Sequence, residues 1–301
     1  MLNTMLMQPV IDQVSSVILG KDAQIRLSLA CMLGGGHLLI EDLPGAGKTT
    51  LAHALSISLG LEYRRIQFTS DMLPADVVGV STYDSATGGF EFHPGPIFAN
   101  LILADEINRT TPKTQSALLE AMEEGQVTVE GETRPLPHPF YVIATQNPVD
   151  QYGTFPLPES QLDRFSMRIH LGYPDAEAER ALLVGRPRRE LIAELAPAIG
   201  REDLMQVFEE ARRVHASSAL LDYLQALLEY SRTSPEFSNG LSPRAGLSLL
   251  SVARAWAHLE GRNMVLPEDI KAVLPGVVDH RLVSMKGRLA SEVLLIEVPI
   301  P

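Results

Sequence analysis

The sequence predicts an α/β domain over residues 1–172 followed by a smaller all-helical domain over residues 173–301, and three observations carry this. Short apolar runs alternate with helical patterns up to about Leu171. A glycine-bearing turn at residues 44–47 joins one of those runs directly to a helix. After Tyr173-Pro174 the alternation stops and helical periods alone remain. The 301 residues suffice for two units that each bury a core.

Taken in order, the N-terminal MLNTMLMQPV has no basic region and is broken by Pro9, so it reads as a lead-in to a helix rather than a signal peptide. The apolar pattern AQIRLSLACML holds Cys31, the only cysteine, which reads as a buried core thiol. No intrachain disulfide is possible, and the chain fits a reducing cytoplasm. HLLI (37–40), YRRIQF (63–68), LILAD (101–105), YVIAT (141–145) and SMRIHL (166–171) read as strands. KTTLAHALSISL (48–59) and KTQSALLEAMEE (113–124) read as helices, followed by Gly60 and Gly125, which suit left-handed C-caps. Thr111 stands as N-cap of the second, with Pro112 at its first position.

Two segments of the first domain look inserted and read as hairpins. One spans 71–96, with Gly88-Gly89 at its turn; the other spans 125–137, turning at Glu130-Gly131. In the second domain AEAERALLV, REDLMQVFEEARRV, LLDYLQALLEYSR, RAGLSLLSVARAWAHL and PEDIKAVL are the helical periods.

Composition narrows the partners. Apolar content of 45% with 21% charged residues is that of a globular protein, and the apolar runs are too short to span a bilayer. A formal charge of -12 gives no general attraction to DNA, RNA or anionic lipid. The local basic run Arg186, Arg188, Arg189 reads as a solvated loop or helix end.

The glycine-bearing turn points to nucleotide chemistry. In HLLIEDLPGAGKTTLA a strand runs into Pro44, Gly45, Ala46, Gly47, Lys48, Thr49 and Thr50, and then a helix. Glycines let backbone N–H groups face phosphate oxygens, and the helix N-terminus adds positive partial charge there. Lys48 would reach the β- and γ-phosphates of ATP, and the Thr49 hydroxyl would bind Mg2+. An ordinary strand-to-helix turn does not explain a lysine at a helix start, where the dipole disfavours cations. Asp42 stands where the general pattern has its first glycine.

In ANLILADEINR a second apolar strand delivers Asp105 and Glu106 at its C-terminal end, the ligand-binding end of open α/β sheets. Asp105 would hold Mg2+, directly or through water, and Glu106 would activate the attacking water; a solvated acidic turn is the plainer alternative. A third strand ends near Asn147, which suits a group that positions water against the γ-phosphate, although Asn-Pro also opens loops. Arg164, in QLDRF, follows a short helix; a structural salt bridge is its plain reading. Arg244 falls in the first turn of a helix capped by Ser242 and Pro243, where a cation needs an anion beside it, and a phosphate would supply one.

On GGHLLIEDLPGAGKTTLA, ADEINRTTPKTQSALLEAMEEGQVTVEG, FYVIATQNPVDQYGTFPLPESQLDRF and LSPRAGLSLL, the chain resembles the MoxR family of AAA+ ATPases over nearly its whole length. Asp42 is no departure within that family. The resemblance implies a P-loop AAA+ core whose parallel sheet is flanked by helices, with the Asn147 strand between the P-loop strand and the Asp105 strand, followed by an all-α lid. It makes Asn147 the first sensor, Arg244 the lid sensor and Arg164 an arginine finger acting on a neighbouring subunit, hence a ring, expected as a hexamer. It sets the two inserts near the pore or surface of that ring and the Gly20-Lys21 loop near the adenine. It implies chaperone-like maturation or activation of a protein client or of a partner with a von Willebrand factor A domain.

Two other functions compete. A nucleic-acid motor would need positive inserts, yet residues 70–100 hold no Lys or Arg and carry Asp71, Asp76, Asp84 and Glu91, while the second insert sets Glu130 and Glu132 against Arg134. A nucleotide-gated binding switch with slow hydrolysis remains open, because motifs do not set a rate.

Overall fold

A computed structural model describes residues 6–85, 88–147 and 153–300. Residues 1–5 of the N-terminal lead-in, 86 and 87 of the first insert, and 148–152 of the resemblance motif after Asn147 lie outside the described residues. The chain opens with α1 (Gln8–Val17) and α2 (Asp22–Leu33), then β1 (Leu38–Glu41), α3 (Lys48–Ser58) and β2 (Tyr63–Gln67). A short α4 (Pro74–Val78) leads into a hairpin, β3 (Gly79–Asp84) and β4 (Gly89–Pro94), and then β5 (Leu101–Asp105). After α5 (Pro112–Glu124) come a second hairpin, β6 (Gln126–Val129) and β7 (Glu132–Pro135), then β8 (Tyr141–Gln146), α6 (Glu159–Leu162) and β9 (Met167–Ile169).

Five parallel strands form one sheet in the order β2-β5-β8-β1-β9. β8 lies between the strand that enters the P-loop and the strand that ends on Asp105. Alternation explains why these strands read as unbroken apolar runs: Leu101, Leu103 and Ile143 face one core, while Ile102, Ala104, Val142 and Ala144 face another. The first core is shared with α1, α2, α3 and the C-terminal helices; the second is closed by α4 and α5.

The remaining elements are α7 (Ala176–Val184), α8 (Arg188–Ala193), α9 (Arg201–Arg212), α10 (Ser218–Thr233), α11 (Pro243–Leu259), α12 (Pro267–Val278) and α13 (Ala290–Glu297). α11 packs on α12 and on α2, so the helical part rests directly on the α/β part. No helix among the described residues is long and apolar enough to cross a membrane.

The structure corrects several details. The first insert is a helix plus a hairpin: Pro74 opens α4, and Asp76 Oδ2 accepts the Leu73 N–H at 2.8 Å. The strand expected over 166–171 keeps only three residues, because His170 Nδ1 and Leu171 N turn toward Glu41 O and Asp42 Oδ2. Thr111 stands at the N-cap of α5, but its hydroxyl meets Thr114 Oγ1 at 3.3 Å rather than a backbone N–H. The basic run is the solvated loop and helix end expected of it, with Arg186 paired to Glu190 and Glu194 and Arg188 opening α8, where it also lines a cavity beside the P-loop.

Candidate nucleotide site

The loop from Pro44 to Gly47 leaves β1 at its C-terminal end and enters α3 at Lys48. Gly45 and Gly47 have φ of 84° and 91°, and a Cβ built on either meets nothing within 4 Å. Left-handed backbone of this kind turns successive N–H groups toward one concave, open side, a cradle that fits phosphate. Lys48 Nζ folds over this turn onto the carbonyls of Asp42 and Leu43, the latter at 3.3 Å. Burial holds its ammonium below its usual pKa, against the opposing pull of Asp42, Asp105 and Glu106, so all three acids lie within electrostatic reach of Lys48.

Asp42 anchors the start of the loop. Its Oδ1 accepts the Leu43 N–H at 3.0 Å, and its Oδ2 accepts the N–H groups of Leu171 and Gly172 at 2.6 and 2.7 Å. A glycine there could make none of these bonds. They bring the segment between β9 and α7 against the P-loop. Between them opens a cavity of 290 Å³ whose walls include Ile18, Ala46, Thr50, Tyr173 and Leu182. Lys21 also lines it and donates to Tyr173 O at 2.6 Å.

On the phosphate side β5 ends at Asp105, and the parallel register sets Gln67 of β2 beside it. Thr145 Oγ1 donates to Asp105 Oδ1 at 2.5 Å and accepts the Glu106 N–H at 2.9 Å. Arg65 donates to Asp105 Oδ2 through Nε at 3.1 Å and a terminal nitrogen at 2.6 Å, and to Gln67 Oε1 at 2.6 Å. Gln67 Nε2 in turn reaches Glu106 Oε2 at 2.8 Å, which Arg109 also contacts at 3.0 Å. Glu106 itself is left-handed, with φ 56° and ψ 48°, a backbone conformation that non-glycine residues rarely adopt. Asn147 follows β8 directly and is buried.

Arg164 and Arg244 lie elsewhere. Both pair with Glu123 near the end of α5, in a cleft shared with His37 and Ser166. His37 precedes β1, whereas the P-loop follows it, so the strand separates the two places by roughly 13 Å. The two arginines are mounted together. Arg281, nearly fully buried, donates to Asp163 Oδ1 at 2.8 Å and to Phe165 O at 2.6 Å, on both sides of Arg164. Ser242, which caps the helix of Arg244, donates to Asp163 Oδ2 at 2.9 Å while accepting the Ala245 N–H. The loop and the acid pair singled out in the sequence fall at one end of the sheet, whereas Arg164 and Arg244 meet Glu123 instead of a phosphate site of their own chain, and the sequence reading did not single out Arg65, Gln67, Thr145, Glu123 or Arg281. YRRIQF did carry a signal: Arg65 and Gln67 are two apart, and so share one face of their strand.

The donor set fits magnesium: a threonine hydroxyl and a carboxylate are hard oxygens, and such sites complete the metal shell with substrate phosphates and water. Residues 37–167 match the ATPase family associated with various cellular activities (AAA), and residues 229–294 match the AAA lid domain. Protein YeaC of Bacillus subtilis is 46% identical over 272 residues, covering 90% of this chain and 85% of its own. Chaperone MoxR1 of Mycobacterium tuberculosis is 38% identical over 296 residues, covering 94% of this chain and 77% of its own. A crystal structure of a candidate ATPase from Cytophaga hutchinsonii superposes with a TM-score of 0.89 at 38% identity, over 99% of this chain and 96% of that one. With the nucleotide loop, the sheet order and the lid all in agreement, this chain belongs to the MoxR family of AAA+ ATPases.

Proposed function

We propose that this chain hydrolyses ATP as part of a ring, a hexamer by resemblance, and spends the energy on remodelling or activating a partner protein. The observation that carries the reading is the juxtaposition of an open left-handed glycine cradle, a lysine over it, and the Asp105-Glu106 pair within that lysine's electrostatic reach. Lys48 would leave the carbonyls of Asp42 and Leu43 for the β/γ-phosphates. Thr49 and Asp105 would hold the Mg2+ ion, which neutralises phosphate charge when bound. Glu106 would take the proton of the attacking water, and Asn147 would orient that water. The base and sugar would lie in the cavity beside Ile18, Lys21 and Tyr173. Residues 1–172 would act as the nucleotide core and 173–301 as the lid.

The separation of Arg164 and Arg244 from their own P-loop supports a role for both on a neighbour's nucleotide. Arg164 precedes β9, an edge strand, which suits an interface. The first insert presents Leu73, Tyr83 and Phe90 to solvent, with the two rings in edge contact at 5.6 Å. In the second, Arg134 lies 3.9 Å over Phe92 and pairs with Glu132. Exposed apolar groups and an occupied arginine suit a polypeptide better than a phosphate backbone. Cys31 is buried, and burial pushes its thiol up to about 12, so it is a core residue and not a reactive group. A partner with a von Willebrand factor A domain rests on the family resemblance.

Glu106→Gln tests the reading. It should bind ATP as the wild type does and release almost no phosphate, and its ATP-held form should retain the partner in a pull-down. Hydrolysis near the wild-type rate would move the base elsewhere. A wild type that binds ATP and turns it over only very slowly would favour the nucleotide-gated switch.

A further inference from the structure

The Arg65–Asp105 pair has a chemical oddity. Both oxygens of Asp105 are engaged: Oδ2 receives two N–H groups of one guanidinium, and Oδ1 receives the Thr145 hydroxyl. Asp105 is almost fully buried, whereas Arg65 is half-exposed and lies on β2, an edge strand with solvent on one side. The bonds close a ring: Arg65 to Asp105, Thr145 to Asp105, Glu106 N to Thr145, Gln67 to Glu106, and Arg65 back to Gln67. A cation is thus already seated on the acid that a divalent ion would use. An arginine cannot vacate that seat by losing its proton, because its guanidinium stays charged at any physiological pH. It can leave only by rotating away, and its half-exposed side chain has the room to do so.

We propose that Arg65 is a metal-competing residue: its guanidinium occupies the Asp105 oxygen that a divalent cation or its coordinated water requires, so that metal uptake must displace it. This rests on the reading of Asp105 as the metal-side carboxylate. A divalent ion brings twice the charge, and its nucleotide phosphates bring further anionic ligands, so displacement is favoured only when nucleotide and metal arrive together. Arg65 would therefore raise the metal concentration the nucleotide complex needs, and would keep Asp105 neutralised otherwise. Arg64, its neighbour on the same strand, points away and pairs with Glu62 at 3.4 Å, which makes it an internal control for loss of charge alone.

The test measures metal binding rather than turnover. Mn2+, which favours the same hard oxygen ligands, is titrated into protein saturated with ADP, and free Mn2+ is read from its EPR signal. Arg65→Gln should bind Mn2+ about two- to fivefold more tightly than wild type, the scale of one partly screened ion pair. Arg64→Gln should match wild type, and Asp105→Asn should bind more weakly. Circular dichroism melts and ADP affinity establish that each variant is folded and loaded. Equal Mn2+ affinity in Arg65→Gln and wild type, with Asp105→Asn weakened, would overturn the role of Arg65 alone. An equal gain in Arg64→Gln would reduce the effect to long-range charge and overturn it as well. If Asp105→Asn binds Mn2+ like wild type, the metal reading of Asp105 fails and this proposal falls with it.

Discussion

Arg164 and Arg244 end on the same carboxylate. Arg164 lies 3.2 Å from Glu123 Oε2, and Arg244 takes Oε1. One arginine comes from the turn before β9 and the other from the first turn of α11, 80 positions later. Two guanidiniums on one carboxylate make a prepared anion site, and Glu123 occupies it at home.

If the two arginines serve a neighbour's phosphate, Glu123 competes with that phosphate. Glu123→Gln should then lower the protein concentration at which ATPase activity per chain reaches half its maximum. A half-exposed pair is worth about 0.2–1 kcal/mol, so the shift should be about two- to fivefold. A concentration dependence that stays put or moves upward would make Glu123 a support for the arginines rather than a rival.

Asp42 gives a prediction that runs against motif matching. Asp42→Gly restores the glycine of the general P-loop pattern but deletes the acceptor for Leu43, Leu171 and Gly172. Hydrogen bonds to a charged group are worth about 1.5–3 kcal/mol each, less when solvent can replace them. The variant should lose about 2 kcal/mol of stability in urea denaturation, and its ATP affinity should fall as Tyr173 loosens from the cavity. A glycine variant that is as stable and binds as tightly would leave Asp42 a tolerated departure.

Three histidines set an acid limit. His37 accepts the Val142 N–H at Nδ1 and faces Met122 O through Nε2, both at 3.0 Å, so it is neutral, and burial lowers its pKa from 6.5 to about 4. Burial also lowers His258 and His280. Unfolding lets each ring take a proton near pH 6.5, so the unfolded state binds more protons below that value. Stability should therefore be level above pH 6.5 and fall as pH drops toward 4, by on the order of a few kcal/mol in all. Urea midpoints at pH 7.5 and 5.0 check the sign. Equal midpoints would mean that these rings titrate normally.

What was legible follows from which interactions are local. The strands announced themselves because a parallel sheet covered on both faces must be apolar throughout, as in LILAD. The P-loop and the Ser242-Pro243 cap are local patterns as well. α8 and α13 were not read: α8 is six residues of mixed polarity behind Pro187, and α13 is a short apolar run with no clear face, so only packing settles them. Glu123 is unreadable for a different reason. Nothing near it in the chain says that residues 41 and 121 positions away will meet on it.

The last prediction concerns Arg164 in trans. Its cleft lies at the N-terminal end of β1, and its own P-loop lies at the other end, roughly 13 Å along the strand. Arg281 bonds Asp163 and Phe165 on either side of it, which fixes the turn that carries Arg164 at that end of the sheet. In the proposed ring, a neighbour's nucleotide would be its target. An arginine inserted there stabilises charge on the transferring phosphoryl group and can be worth roughly 10³–10⁵ in rate. Arg164→Ala should thus bind ATP normally and hydrolyse it very poorly. Glu106→Gln should fail for a separate reason, at its own site. Mixing the two inactive proteins would create interfaces in which an intact Arg164 faces an intact Glu106. Partial phosphate release should return, rising with total protein concentration because assembly is required. Sizing by light scattering verifies that the mixture assembles. A mixture that assembles and stays as inactive as either parent would confine Arg164 to its bond with Glu123.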